Sequence, residues 1–170
     1  MRVIQIGVGS FGRTWREGLS RLPELEVVGL VDADREVLEE ARGHFDLPPE
    51  QCFTNPYLEW YDRLEADFTI DSTPHSLHYQ NAIRAFRAGM DVIVVKPMSD
   101  DLRWARAMVS EAKKTGCKLV VAQQIRFFEP CLRLRDYIAQ GRPCQARRSL
   151  ASLRKSASLS LSFPAFAASV

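Results

Sequence analysis

The sequence predicts an α/β fold in which a parallel sheet is covered by helices on both faces. Two observations predict it: short apolar runs of four to six residues recur along the chain, and amphipathic stretches separate them through about residue 141. At 170 residues, the chain has the length of one ordinary domain. We expect strands over residues 3–7, 27–31, 68–72, 92–95 and 119–123, and helices over 11–21, 35–44, 76–88, 100–115 and 129–140.

The helix expected over residues 100–115 has sequence signals at both ends. Ser99 is placed to cap its N-terminus, and the acidic Asp100 and Asp101 suit the positive end of the helix dipole. Gly116 suits its exit, because glycine readily adopts the left-handed conformation found just after helices.

Composition and charge argue against several classes of protein. The net charge is only +2, which does not favour nucleic-acid binding, and no apolar run approaches the roughly 18 residues that a membrane span needs. Strand-like residues begin at Val3 without a signal peptide, so we expect the cytoplasm. The cysteines are far apart, and their spacing indicates neither a metal site nor a disulfide framework: Cys52, Cys117, Cys131 and Cys144.

The chain is expected to divide near residue 145. Residues 146–170 are mostly Ser, Ala and Leu, and they show neither an amphipathic periodicity nor the sequence signals of turns. We therefore expect a folded domain over 1–145 and a tail over 146–170 that is disordered or forms a short docked segment.

A glycine-rich segment, VIQIGVGSFGRTW, contains the first expected strand and opens the first helix. Gly7, Gly9 and Gly12 have the G-x-G-x-x-G spacing of Rossmann-type doubly wound folds. In these folds the glycines permit a tight turn, close approach of a pyrophosphate and close packing of helix on strand. Ser10 and Phe11 would lie against the same cofactor. The alternative is a glycine-rich turn without function.

Asp32 ends the second expected strand, twenty residues after Gly12. A carboxylate there accepts hydrogen bonds from a ribose diol and repels a 2′-phosphate, so the sequence predicts NAD as cofactor, with NADP less favoured. Arg35 could instead reach a 2′-phosphate, or be a solvated charge at the start of the next helix. Asp32 could also be no more than a helix cap.

The third expected strand leads into the segment TIDSTPHSLH. The small residues Ser72, Thr73 and Pro74 would let the chain pass close beneath a dinucleotide. We assign His78 to the cofactor site as well. The residues alone favour a first-turn or surface position for both His75 and His78 over a catalytic role.

Lys96 follows the buried apolar run 92–95, where an ammonium group has no obvious structural purpose. With the strand order 3-2-1-4-5 of dinucleotide folds, the fourth expected strand lies beside the first, and Lys96 would point into the crevice near the nicotinamide. There it could exchange a proton with a substrate hydroxyl. The alternative is a lysine that extends from a strand end to water.

Several motifs occur together and in order: GVGSFG, VDAD, STPHSLH, AGMDVIVVKPMS and QQIRFFEPCLRLRDYIAQG. Over about residues 1–145 they resemble the glucose-fructose oxidoreductase, inositol dehydrogenase and MocA family, abbreviated Gfo/Idh/MocA. The resemblance implies an NAD(P)-binding Rossmann domain and hydride transfer between the nicotinamide and a sugar or polyol. It places Lys96 and Pro97 at the nicotinamide and substrate, within the family's Glu-Lys-Pro triplet.

The chain departs from this family pattern in two ways. Val95 replaces the glutamate of the triplet, so the carboxylate next to Lys96 is missing. Family members continue into a second domain that supplies most of the substrate pocket and the usual dimer surface, whereas this chain stops at Val170. Three interpretations stay open: an enzyme that completes its site with another chain, for example in a homo-oligomer; a nucleotide-binding module without turnover; or a truncated product.

Overall fold

The computed structural model describes residues 1–54 and 60–141, and within them six parallel strands form one sheet. Their order across the sheet is β3-β2-β1-β4-β5-β6. The predicted doubly wound α/β fold is confirmed. The strands are β1 Arg2–Ile6, β2 Glu26–Val31, β3 Cys52–Phe53, β4 Phe68–Asp71, β5 Asp91–Val95 and β6 Leu119–Ala122.

Helices connect the strands, and short 3-10 turns lie at Pro49–Gln51 and Gln124–Phe127. The predicted helices agree with the observed ones to within about two residues at each end, apart from α3, which was not predicted. The helices are α1 Gly12–Leu19, α2 Arg35–Phe45, α3 Trp60–Arg63, α4 His75–Arg87, α5 Leu102–Thr115 and α6 Glu129–Ala139.

The ends of α5 follow the predicted signals only in part. Gly116 ends the helix with a φ of +76°, as predicted. The prediction of Ser99 as the cap was wrong, because the carboxylate of Asp101 accepts the N–H of Arg103 at 2.7 Å and caps the helix. The Ser99 hydroxyl instead accepts the N–H of Asp101 at 3.3 Å.

The strand before Lys96 is not adjacent to β1, which corrects the predicted strand order. The prediction omitted β3, because its two residues form no apolar run; they pair with Leu30 and Val31 at the end of β2. The strand Phe68–Asp71 is therefore the fourth and lies beside β1, with β5 one position further out. Lys96 still follows the carboxyl end of its strand, at the same edge of the sheet as the glycine-rich turn, since the strands are all parallel.

Apolar side chains fill both faces of the sheet, because consecutive residues of a strand point to opposite sides. Ile4 packs on the face covered by α4 and α5, together with Phe86 and Met108. Val3 packs on the opposite face with Leu19 of α1, and α2 covers a neighbouring part of that face. Burying a side chain of this size contributes about 1.5 to 3 kcal/mol. The result is a three-layer arrangement of helix, sheet and helix.

The described residues fall into two compact units: Met1–Gln123, and a second unit that begins at Gln124 and is described through residue 141. The first unit contains the whole sheet. In the second, α6 has Pro130 in its first turn, where the missing N–H costs no hydrogen bond, and Glu129 pairs with Arg133 at 2.6 Å. The predicted tail over 146–170 lies outside the described residues.

Three cysteines of the described ranges, Cys52, Cys117 and Cys131, are free thiols. Burial raises the pKa of Cys52 to about 11. Cys144 lies outside these ranges. Within them, no helix is both long and apolar enough to cross a membrane, and no three His, Cys, Asp or Glu side chains are grouped as metal ligands.

Candidate functional site

The turn after β1 begins at Gly7, and other backbone segments approach this residue closely. Its N–H donates to the carbonyl of Val31 at 2.8 Å, and its φ is +77°. A Cβ atom at Gly7 would lie 2.8 Å from the carbonyl carbon of Ser72, closer than real Cβ contacts come. Glycine here therefore lets the turns after β1 and β4 pack directly against each other.

Gly12 starts α1 against the same turn. A Cβ atom at Gly12 would overlap the carbonyl oxygen of Gly7, so the helix can begin this close to the strand only with glycine. Gly9 has more space, since its Cβ would lie 3.1 Å from Val37 of α2. The three glycines thus bring α1, α2 and the end of β1 close together.

The N–H groups of Ser10, Phe11 and Gly12 have no protein acceptor among the described residues. They lie at the start of α1, where the helix dipole adds partial positive charge. Ser10 has a φ of +34°, in the left-handed region that non-glycine residues seldom adopt. Free N–H groups at a helix N-terminus bind phosphate, so this turn fits a pyrophosphate.

Asp32 follows β2, and its carboxylate accepts three backbone N–H groups. Oδ2 accepts from Val8 at 2.8 Å and from Gly9 at 3.2 Å, while Oδ1 accepts from Asp34 at 3.0 Å. An ionised carboxylate offers about four lone-pair directions, so one on Oδ1 remains for a ligand. Asp32 can therefore support the glycine-rich turn and still accept a ribose hydroxyl.

A buried polar network shapes the turn after β4. The fully buried carboxylate of Asp71 accepts the N–H and hydroxyl of Thr73, at 3.0 and 2.6 Å, and the amide of Asn81 at 3.0 Å. The hydroxyl of Tyr61 donates to the Asn81 carbonyl at 3.0 Å, and burial, with the charge of Asp71, raises the pKa of Tyr61. The bonds that Thr73 and Asn81 donate to Asp71 compensate the burial of its carboxylate, and the bonds from Thr73 fix the backbone of the turn.

His78 joins this turn to the turn that contains Lys96. Its ring is fully buried, with Nε2 2.9 Å from the carbonyl oxygen of Thr73 and Nδ1 3.1 Å from that of Pro97. His78 is thus a first-turn residue of α4, as one interpretation expected, but it is not at the surface. His75, in the same turn, is exposed.

Lys96 is exposed directly after β5, and no ion pair or hydrogen bond of its side chain occurs within the described residues. The Lys96–Pro97 peptide bond is cis. Val95 is buried, so an apolar side chain takes the place of the carboxylate expected from the family pattern. The ammonium group is free to contact a ligand.

A cleft of about 440 Å³ lies at the carboxyl ends of β1, β2 and β4. Seven of the predicted site residues line it: Gly7, Gly9, Ser10, Asp32, Ser72, Thr73 and Pro74. The other predicted residues do not line it: Phe11, Gly12, His78, Lys96 and Pro97.

The cleft also has lining residues that sequence reasoning missed: Ile6, Val31, Ala33, Asp34, Val37 and Leu77. Leu77 could have been found, because it lies about one helical turn after Pro74 and therefore on the same side of α4. Asp34 has a second function, since its carboxylate caps α2 by accepting the N–H groups of Glu36 and Val37.

A glycine-rich turn at a helix N-terminus, a carboxylate after the second strand and a cleft between them define a dinucleotide-binding domain of the Rossmann type. The residues present fit such a cofactor, because free N–H groups are available for phosphate and Asp32 keeps one lone pair for a ribose hydroxyl. The chain belongs to the Gfo/Idh/MocA oxidoreductase family: the model of this family, an oxidoreductase family with an NAD-binding Rossmann fold, matches residues 1–123. The resemblance expected from the motifs is confirmed.

Known proteins similar to this chain are longer than it is. The chain is 33% identical over 132 residues to the uncharacterized protein y4oX of Sinorhizobium fredii, covering 74% of this chain and 36% of that protein. It is 34% identical over 97 residues to D-xylose 1-dehydrogenase (NADP(+)) of Hypocrea jecorina, covering 55% and 25%. The WlbA dehydrogenase of Bordetella pertussis, solved with NADH and UDP-GlcNAcA, is similar with a TM-score of 0.77 and 25% identity, over 83% and 42%. The chain therefore spans less than half the length of these relatives.

Proposed function

We propose that this domain binds NAD(H) in the cleft and serves hydride transfer between the nicotinamide and a hydroxyl or carbonyl group of a sugar or polyol. One observation carries the proposal: Ser10, whose N–H group is free just before α1, and the carboxylate of Asp32 border the same cleft. NAD(H), when bound, supplies the hydride acceptor or donor.

Each turn at this edge of the sheet has a separate task in binding. The N–H groups of residues 10–12 would receive the pyrophosphate, and Oδ1 of Asp32 would accept a ribose hydroxyl. Residues 72–74 form the facing wall of the cleft. The hydrogen bonds that Thr73 donates to Asp71 already hold the backbone of this wall. Little ordering of this wall is then needed on binding, which favours affinity.

The charges around the ribose position support NAD over NADP. Asp32 and Asp34 both line the cleft, and a 2′-phosphate would bring further negative charge next to them. Arg35 is exposed at the start of α2, where it could offset part of this repulsion. One relative of this family uses NADP(+), as its name states, so the preference must come from such local residues.

We assign the proton transfer to Nζ of Lys96. The group is exposed, without a partner among the described residues, and follows a strand whose carboxyl end lies at the same edge as the cleft. As a neutral amine, Nζ could take the proton of a substrate hydroxyl in oxidation, and as an ammonium it could donate a proton to the carbonyl oxygen in reduction. His78 supports this role, because its ring contacts the carbonyl of Pro97 and so holds the turn after Lys96. The relatives support the sugar or polyol class, since one of them is named D-xylose 1-dehydrogenase (NADP(+)).

Calorimetric titration with NAD, NADH and NADP tests the cofactor, and NADH formation from a panel of polyols and aldoses at saturating NAD tests the reaction. Lys96→Ala should keep the NAD affinity and lose turnover. Lys118→Ala is the matched control, since Lys118 is an exposed lysine at the amino end of the neighbouring strand. Failure to bind NAD would overturn the proposal. NAD binding without turnover on any substrate would favour a nucleotide-binding module instead.

A further inference from the structure

Gln5 is a fully buried amide side chain in the middle of the central strand β1. Its Nε2 donates a hydrogen bond of 2.7 Å to the carbonyl oxygen of Gly12, and its Oε1 has no partner among the described residues. A buried amide with an unpaired oxygen is unfavourable for stability, whereas an apolar residue would fit this strand without that cost. Stability of the sheet therefore does not account for a glutamine here.

The bond to Gly12 reaches the first residue of α1, two residues after Ser10, which lines the cleft where phosphate groups are expected. We infer that Gln5 is a positioning residue, which fixes the start of α1 so that its free N–H groups are oriented to bind the pyrophosphate. The inference rests on the proposed function, because it assigns Gln5 a role in dinucleotide binding. Gln5 itself does not line the cleft and acts only through Gly12.

The geometry of Gly12 explains why such a support is needed. Glycine has the most permissive backbone of all residues, and no side chain can be present here because a Cβ would overlap the Gly7 carbonyl. A carbonyl oxygen has two lone pairs, and in an α-helix one of them accepts the N–H four residues further on. The amide of Gln5 binds the carbonyl from outside the helix and restrains the peptide plane that follows Gly12.

The strand that carries Gln5 is a rigid point of attachment. Gln5 lies opposite Leu30 in β2 and opposite Ile70 in β4, so β1 is held by strands on both sides. The first turn of α1 is consequently tied to the centre of the sheet by a side chain as well as by the chain itself. This arrangement places the N–H groups before the cofactor arrives, which is what lowers the cost of binding.

The test uses Gln5→Met, which keeps the length of the side chain and removes the donor. We expect the Kd values for NAD and ADP, both of which contain a pyrophosphate, to rise about 3- to 10-fold, the range that one net hydrogen bond gives. The Kd for adenosine, followed by a nuclear magnetic resonance titration, should stay the same because it has no phosphate. The Tm should be equal or higher, because the unpaired Oε1 is gone. Gln5→Leu repeats the measurement if the Met variant folds poorly.

Thr69→Val is the matched control, because it also removes an unpaired buried oxygen from the sheet, in the adjacent strand β4, without a link to Gly12. It should leave NAD affinity unchanged. Equal NAD affinity in Gln5→Met and the unaltered protein would overturn the inference and leave the proposed function standing. Parallel losses for ADP and adenosine with a lower Tm would overturn it too, by showing a general structural role. An unaltered protein that binds neither NAD nor ADP would overturn both proposals.

Discussion

Oδ2 of Asp32 accepts a hydrogen bond of 2.8 Å from the N–H of Val8, so the carboxylate that faces the cleft is also part of the glycine-rich turn. The same oxygen accepts from Gly9, and Oδ1 keeps one free lone pair. A substitution at Asp32 therefore has two consequences, one for the turn and one for the choice of cofactor, and they can be separated.

Asp32→Ala should narrow the difference in binding free energy between NAD and NADP by about 1 to 2 kcal/mol, the scale of one charge-assisted hydrogen bond. It should also lower the free energy of unfolding, because Val8 and Gly9 lose their acceptor. Asp32→Asn keeps an acceptor oxygen but removes the charge, so it should narrow the cofactor difference with less loss of stability. Calorimetry with both cofactors and urea unfolding measure the two effects; equal affinity of the unaltered protein for NAD and NADP would contradict the role of Asp32.

Replacing each of two glycines of α1 by alanine should change the stability of the protein in opposite directions. Gly12→Ala forces a Cβ against the Gly7 carbonyl, so we expect loss of NAD binding and a lower Tm. Gly18→Ala meets no atom within 4 Å and should raise stability by about 0.5 to 1 kcal/mol, because alanine loses less backbone entropy in a helix. Thermal unfolding and NAD titration of both variants check this pair, and an unchanged Gly12→Ala protein would show that α1 can move away from β1.

His78→Leu should destabilise the fold by about 1 to 3 kcal/mol, because it removes the buried ring whose nitrogens contact the carbonyl groups of Thr73 and Pro97, and with it at least one N–H donor. His75→Ala is the control in the same turn of α4, and its exposed ring should contribute little. Urea unfolding gives the free energies, and hydrogen exchange of residues 96–99 shows whether the Lys96 turn loosens. Equal stability of the two variants would contradict the structural role of His78.

The Arg16 guanidinium donates a hydrogen bond of 2.8 Å to Glu40, which lowers the pKa of that carboxyl below its ordinary value of 4.5, and Arg13 adds to this shift. A carboxyl whose pKa is lower in the folded state stabilises the fold above its unfolded value and loses that contribution as pH falls through the folded value. Glu40→Gln should therefore be less stable than the unaltered protein above about pH 5, with the gap closing below pH 4.5.

Urea unfolding at a series of pH values measures this gap. Glu36→Gln, on the same helix, is the control, since no side-chain ion pair of Glu36 occurs among the described residues. The difference in stability between Glu36→Gln and the unaltered protein should therefore not depend on the contact between Arg16 and Glu40. A pH-independent difference for Glu40→Gln would show that the ion pair does not contribute to stability in solution.

Most of the sheet could be predicted from the sequence, because β1, β2, β4, β5 and β6 are apolar runs that stand out from their surroundings. The two-residue strand Cys52–Phe53 could not, because its pairing with β2 depends on where the chain is brought by the fold and not on its own composition. Because β3 was omitted, the prediction placed β5 beside β1, in the position that β4 occupies in the structure.

In the site, the glycine spacing and Asp32 could be predicted because each is a local signal tied to a strand end. The supports behind them could not. Gln5 reaches Gly12 across seven positions and Asp71 reaches Asn81 across ten, and both bonds form only when strand and helix are packed. An isolated glutamine or aspartate in a strand gives no sign of its partner.

The first strand of the chain lies in the middle of the sheet, and this has a consequence for how the protein folds. Pairing of β1 with β4 brings together Val3 and Phe68, two residues that are about 65 positions apart in the chain. Closing a loop of this length costs conformational entropy before the strand contacts that offset this cost have formed, so such pairings form late and slowly. Gly7 and Ser72 belong to the turns after these two strands and meet only then. The helices can form earlier, and the ability to bind a nucleotide should arise among the last events of folding.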